Sequence, residues 1–319
     1  MQAESGEEER GHFVQITGTE QTSGRMRAAF YGLSVFAVIA AGYLYFQSAS
    51  ARGQSDSLVV LGSETMRAMV SECADSFMAR NPNAFITVKG GGSGDGLTNL
   101  LLGMTDMGMT SRPLLAKETG FARSKGIDLT LTAIAQDGVA IIVHPSSTIA
   151  SLTLDQTRAA FSGNLARWSM LAVEGHPGPD LPVVAIARAA GSGTAALFAQ
   201  RVLTGAETLV ARQLPTNEAI VAEVADTPGA IGYTGLGALR NSADRVKVLA
   251  IKASADTPAI TPTVEAVSQG RYPLSRALFF ATVGEQSGIA ERFMAHCAGP
   301  AGQEIVQKAG YITPKKAKP

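Results

Sequence analysis

The sequence predicts an α/β protein, a mainly parallel sheet with helices on both faces, divided into two lobes. Three observations predict it. From Leu58 onward, short β-branched runs alternate with apolar stripes at helical spacing, as strands and helices do in turn. Several runs enter a helix through a turn rich in Gly, Ser and Thr. The chain has 319 residues, 45% hydrophobic and 17% charged, enough for two packed units.

Taken in order, residues 1–25 are polar, with Glu7-Glu8-Glu9, and read as a disordered or non-native head. Arg25 and Arg27 flank an uncharged apolar run over 28–46, and Ala49-Ser50-Ala51 follows. Residues 26–51 therefore read as a signal peptide or, if uncleaved, a signal anchor with membrane contact through 28–46. The arginines hold the N-terminal side in the cytoplasm, so the remainder is expected in the periplasm or another extracytoplasmic space.

Leu58-Val-Val-Leu61 is a strand that leads through Gly62-Ser63-Glu64-Thr65 into a helix with its stripe at Met66, Met69, Val70, Cys73 and Phe77. Ala84-Phe-Ile-Thr-Val88 leads through Gly90-Gly91-Gly92-Ser93 into Leu97, Leu100 and Leu101. Asp106-Met-Gly-Met109 ends in Thr110-Ser111-Arg112-Pro113. The runs 131–134 and 139–143 bracket Gln136-Asp137-Gly138. Thr153 is a helix cap, Gly163 ends that helix, and Trp168 is expected to pack beneath the loop that follows. Val183-Val184-Ala185-Ile186 feeds Arg188-Ala-Ala-Gly-Ser-Gly-Thr194 and then a helix. A helix near 217–225, strands at 229–233, 246–251 and 278–282, and a last amphipathic stretch through Phe293 and Val306 complete the chain.

Four of these turns carry hydroxyls at the carboxyl ends of strands, where open α/β sheets bind ligands. Helix starts offer unsatisfied N–H groups, glycines allow close approach, and Arg188 supplies a planar cationic fork. Together they read as a socket for an oxyanion, although each turn alone could be an ordinary helix cap. Lys+Arg and Asp+Glu both number 27, so the formal net charge is zero and nothing calls for nucleic acid. The four histidines match no zinc spacing, the glycine runs fit no nucleotide cradle, and no cofactor is expected. A serine hydrolase would need G-x-S-x-G, which neither Ser93 nor Ser192 satisfies. Cys73 and Cys297, the only cysteines, could form a disulfide in an oxidising compartment or be small buried apolar residues.

The order and spacing of these motifs, with Pro228-Gly-Ala-Ile-Gly-Tyr233, Tyr272-Pro-Leu-Ser275 and Gly299-Pro-Ala-Gly-Gln303, resemble the phosphate-binding subunits of phosphate ABC importers, within the type II periplasmic binding proteins. The resemblance covers nearly all of 58–314. It implies a non-catalytic solute-binding protein. One lobe would comprise 57–138 and 272–319, the other 139–271, joined by a two-stranded hinge. They would close on inorganic phosphate and deliver it to the channel subunits and ATPase of an ABC importer. By the same resemblance, Thr65, Met66 and Ser93 would hold phosphate from the first lobe, Met66 through its backbone N–H. Arg188, Ser192, Gly193 and Thr194 would clamp it from the second.

Ser111 is expected to add its hydroxyl to the phosphate site, although some members carry an aspartate there to accept the proton of monohydrogen phosphate. Asp137, near the hinge, is the first candidate to substitute, and Asp95 the second. Glu64 is expected to point outward, Arg112 to meet either a carboxylate across the hinge or the ligand, and Tyr233 is a candidate for the cleft mouth. Alternatives are a binding protein for another tetrahedral oxyanion, a membrane-tethered phosphate sensor, and the serine hydrolase.

Overall fold

The computed structural model describes residues 56–314 apart from 174–175, 205–208 and 241. The head over 1–25, the segment over 26–51 and the basic tail over 315–318 lie outside the described residues. Among the described residues, no helix is long and apolar enough to cross a membrane.

The chain opens with strands β1 (Asp56–Gly62), β2 (Ala84–Lys89), β3 (Met107–Thr110) and β4 (Leu129–Val143). Next come β5 (Ser151–Thr153), β6 (Ala172–Val173), β7 (His176–Pro177), β8 (Val184–Arg188) and β9 (Arg212–Leu214). The last are β10 (Ala230–Gly235), β11 (Lys247–Val248), β12 (Ala250–Lys252) and β13 (Ser275–Val283). One sheet runs β2-β1-β3-β13-β4-β10-β8-β9, with β11 also on β4. Pairing is parallel within each half, β2-β1-β3 and β10-β8-β9, and antiparallel where β13 and β4 join the halves.

β4 is the element shared by both lobes. Its residues 129–138 pair with β13, and 139–143 pair with β10. The sequence reads this stretch as two runs around a polar trio, whereas the structure makes it one strand. Backbone pairing continues through the trio, with Asp137 opposite Arg276 and Gly138 opposite Ser275, so the polar residues sit where the apolar packing of one lobe ends and the other begins. Leu58, Val60, Met69, Phe77, Phe280 and Phe293 belong to one core, and Val139, Phe161, Trp168, Phe198, Tyr233 and Leu249 to the other. The C-terminal segment also reaches this crossing. Gln136 N–H donates to the Ile312 carbonyl at 2.6 Å, and Ile312 N–H returns to Gln136 at 3.0 Å.

The expected strand over 246–251 splits, one part on β4 and the other on β5. The break falls at buried Leu249, whose N–H donates to the Ile141 carbonyl at 2.9 Å. Thr153 caps its helix reciprocally with Gln156, accepting at 3.0 Å and donating at 2.8 Å, and left-handed Gly163 closes the other end. Trp168 is buried and donates from Nε1 to the Gly229 carbonyl at 2.9 Å. Tyr233 is not at the cleft mouth. It stacks on Phe198 with ring centroids 4.0 Å apart, inside the second core.

Arg112 takes its carboxylate from the same lobe, six residues on, rather than across the hinge. Its two terminal nitrogens donate to Glu118 at 2.8 and 2.6 Å. Glu118 sits in the first turn of the Ala116–Ser124 helix and also accepts Leu115 N–H at 2.8 Å. Desolvation opposes its charge, but the Arg112 and Leu115 donors outweigh it and hold the carboxyl below the ordinary range.

Two outcomes follow from this packing. Replacing Trp168 with Phe removes one of the two donors to the Gly229 carbonyl, leaving Val184 N–H at 3.1 Å, and should cost about 0.5–1.5 kcal/mol in urea unfolding at unchanged m-value. Because the Glu118 pKa is depressed, its contribution is present above the ordinary carboxylate value and is lost as pH falls through the folded one. Glu118→Gln should therefore cost about 3 kcal/mol at pH 7, and the gap should shrink steadily below about pH 4.5, measured by urea unfolding across pH. A gap independent of pH would show that the pair contributes through packing alone.

Candidate functional site

The hydroxyl-bearing turns converge where the two lobes meet. Thr65, the second residue of the Glu64–Arg80 helix, and Thr194, the second of the Gly193–Phe198 helix, bring their Oγ1 atoms to 3.2 Å across the lobes. Ser93 starts the Ser93–Leu101 helix and lies 3.3 Å, Oγ to Oγ, from Ser111 at the end of β3. Gly193 faces this second pair, and a Cβ there would collide with both the Ser93 and Ser111 hydroxyls. Gly94 N–H donates to the Gly191 carbonyl at 3.2 Å, so the glycine turns of the two lobes touch directly. Gly92 makes that approach possible, because its φ of +122° suits glycine and a Cβ would lie 2.9 Å from the Gly191 oxygen.

Charge enters from two guanidinium groups. Arg276, on β13, donates from Nη1 to Thr194 Oγ1 at 2.8 Å and from Nη2 to Thr65 Oγ1 at 3.3 Å. Its Nε and Nη2 also donate to Asp137 Oδ2 at 3.0 and 2.6 Å, while Leu236 N–H donates to Asp137 Oδ1 at 3.0 Å. Both side chains are essentially fully buried. Burial pushes the Asp137 carboxyl above the ordinary range, opposed by the Arg276 charge and by these donors. Arg188, at the end of β8, donates to Asn217 Oδ1 and, at 2.8 Å, to the Pro215 carbonyl. Asn217 in turn donates to Thr65 Oγ1 at 3.3 Å. The buried Arg188 Nε has no partner among the described residues. Burial first, and then nearby Arg276, pull the Arg188 guanidinium below the ordinary arginine range.

The hydrogen bonding also has a direction. Thr65 Oγ1 accepts from Arg276 and Asn217, Thr194 Oγ1 from Arg276, Ser93 Oγ from Ser111 N–H, and Ser192 Oγ from Thr194 N–H and Ala195 N–H. A hydroxyl has two lone pairs and one proton, so a group already fed by N–H donors has mainly its proton left to give. Hydroxyls of that kind beside two cations and one carboxylate suit a guest whose oxygens mainly accept hydrogen bonds.

Thr65, Ser93, Ser111, Gly193 and Thr194 thus meet at one place, and Arg188 is linked to it through Asn217. Ser192 lies at its edge, with its oxygen capping its own helix. Met66 does not join the cluster: its side chain is in the core and its N–H donates to the Ser63 carbonyl at 3.0 Å. Asp137 reaches the hydroxyls only through Arg276. Exposed Asp95 instead lines an apolar groove of about 650 Å³ with Leu101, Leu115, Phe121 and Gly191. Ser192 also borders that groove, whereas Thr65, Ser111, Thr194 and Arg276 do not line it. Glu64 turns to Arg67 at 2.6 Å. Sequence reasoning missed Arg276 and Asn217. Arg276 directly follows the motif Tyr272-Pro-Leu-Ser275, and Asn217 starts a helix, a position where such a side chain reads as an ordinary cap.

A family profile described as a PBP superfamily domain matches residues 47–299. The chain is 32% identical over 272 residues to the phosphate-binding protein PstS of Bacillus subtilis (strain 168), covering 83% of this chain and 84% of that protein. Among solved structures it is similar to a Clostridium perfringens protein described as a phosphate ABC transporter substrate-binding protein with bound phosphate. The TM-score is 0.71 and the identity 26%, covering 82% of this chain and all of that one. An ABC-type phosphate transport receptor from Vibrio cholerae, 23% identical, shares the fold at a TM-score of 0.65 over 81% of this chain and all of that one. On the match to its profile and to the Bacillus subtilis protein, the chain belongs to the PBP superfamily and, within it, to the family of PstS phosphate-binding proteins.

Proposed function

We propose that this chain captures inorganic phosphate between its two lobes and delivers it to the channel subunits and ATPase of an ABC importer. The observation that carries this is the buried cluster of proton-giving hydroxyls held between two guanidinium groups and one carboxylate. Phosphate brings several acceptor oxygens and negative charge to donors already aimed inward, in a site shielded from water, where each such bond counts for more. The relatives supply the same reading, since the similar proteins are named as phosphate-binding or phosphate-transport proteins and not as enzymes. The hydrolase alternative is weakened by the hydroxyls themselves. Ser93 is engaged with Ser111 and Ser192 with helix amides, so neither is paired with a base.

In this reading, Thr65, Ser93 and Ser111 hold phosphate from the lobe of 57–138 with 272–319. Arg188, Ser192, Gly193 and Thr194 close on it from the lobe of 139–271. Arg276 is the second cation, and Asp137 is a positioning residue that aims it. The lobes swing about β4 and β13. The basic flank, apolar run and Ala49-Ser50-Ala51 fit export of this chain to an extracytoplasmic space, with anchoring through 28–46 if the segment is kept.

Calorimetry of the chain with phosphate, sulfate and molybdate in parallel tests the reading; tightest binding to phosphate is expected, and no heat with any of the three would refute it. Arg188→Ala and Arg276→Ala should each cost about 2–5 kcal/mol in phosphate affinity, and a loss near zero for Arg188→Ala would discredit the clamp. Asp137→Asn should weaken phosphate and sulfate by a similar factor if Asp137 only aims Arg276. A loss confined to phosphate would instead make it the acceptor of the phosphate proton.

A further inference from the structure

The first lobe is assembled from two stretches far apart in sequence, and its two cysteines sit one on each. Cys73 lies on the Glu64–Arg80 helix and Cys297 on the Gly288–Ala298 helix, each 1% exposed and both in the same core. Both are free thiols in this structure. A second contact fixes the register. Phe77, one turn after Cys73, meets Phe293, one turn before Cys297, edge to face with centroids 5.7 Å apart. The helices therefore cross this seam in opposite directions, with the aromatic pair on one step and the sulfur pair on the next.

We propose that Cys73 and Cys297 form a disulfide in the exported protein, a staple joining the beginning and end of the lobe that the other lobe interrupts. The proposal rests on the export reading for its oxidising surroundings. One cysteine thiolate attacks a sulfur of a disulfide oxidant, giving a mixed disulfide and releasing one thiol. The other cysteine then attacks the protein sulfur of that mixed disulfide and releases the second. Two protein thiols lose two protons and two electrons, and one disulfide is reduced to two thiols. Burial, and then Cys73 beside it, push the Cys297 thiol well above the ordinary range, so Cys297 is the poorer attacking thiolate once folded. Cys73 lies eight residues beyond Thr65, about 12 Å along the helix, so the staple sits away from the hydroxyl cluster.

The test separates pairing from export. The full chain, denatured and reduced, is refolded in glutathione with its disulfide, then unfolded and alkylated with iodoacetamide before mass analysis. The expected result is no alkylation until reductant is added and two alkylations afterwards, with a peptide linking Cys73 to Cys297. Two free or separately glutathionylated cysteines would overturn the pairing. The same analysis on chain recovered from the expressing cell without reductant reads export: two alkylated thiols there, with a good bond on refolding, would overturn the in-cell disulfide while leaving the geometry intact. Reductant should lower the Tm of the oxidised chain by roughly 5–15 °C and leave phosphate affinity unchanged. The double variant Cys73→Ala with Cys297→Ala should melt alike with and without reductant. An oxidised chain whose Tm ignores reductant would rule out a stabilising staple.

Discussion

The ion pair between Arg276 and Asp137 is the interaction on which the site depends. It lies on two neighbouring strands at the point where β4 passes from one lobe to the other. A guanidinium this deeply buried needs a carboxylate and a full set of acceptors, and it finds them in Asp137, Thr65 and Thr194. The requirement ties the hinge to a hydroxyl from each lobe. One side chain thereby sets the distance between the first helix of one lobe and the clamp helix of the other.

The remaining chemistry is a matter of counting donors and acceptors. Lys+Arg and Asp+Glu balance over the whole chain, so attraction for an anion is built locally rather than by overall charge. The two guanidiniums repel each other and are brought together only because each is bonded elsewhere, Arg276 to Asp137 and Arg188 to Asn217. The surrounding hydroxyls are oriented by N–H groups that occupy their oxygens, which leaves a surface that gives protons and takes few. Such a surface favours a ligand whose oxygens are mainly acceptors.

The lobes are joined by more chain than a simple hinge requires. β4 crosses between them, the chain returns beside it at Leu274, whose carbonyl accepts Val139 N–H, and the Gln136–Ile312 bridge adds the C-terminal segment at the same place. Each lobe keeps its own apolar core on its own side of the crossing, so movement about the strands need not disturb either core. The first lobe gathers the start and end of the described chain, and the seam of Phe77, Phe293 and the two cysteines is where those ends are packed together.

The sequence by itself determined the local pieces. Spacing at helical and strand periods located the elements, Thr153 and Gly163 marked a helix start and stop, and the glycine- and hydroxyl-bearing turns identified most of the cluster, because such turns obey short-range rules of capping and backbone freedom. The tertiary structure alone decided what lies between distant elements. Continuous pairing carried β4 through the polar trio 136–138, and Leu249 divided a run that looked like one strand. Arg112 found Glu118 rather than a hinge carboxylate, Met66 spent its N–H on Ser63, and Arg276 reached Thr65 and Thr194 from far along the chain. Those outcomes depend on which buried charge and hydrogen-bonding group can be satisfied once the sheet is assembled, and that is a property of three-dimensional neighbours that no local pattern encodes.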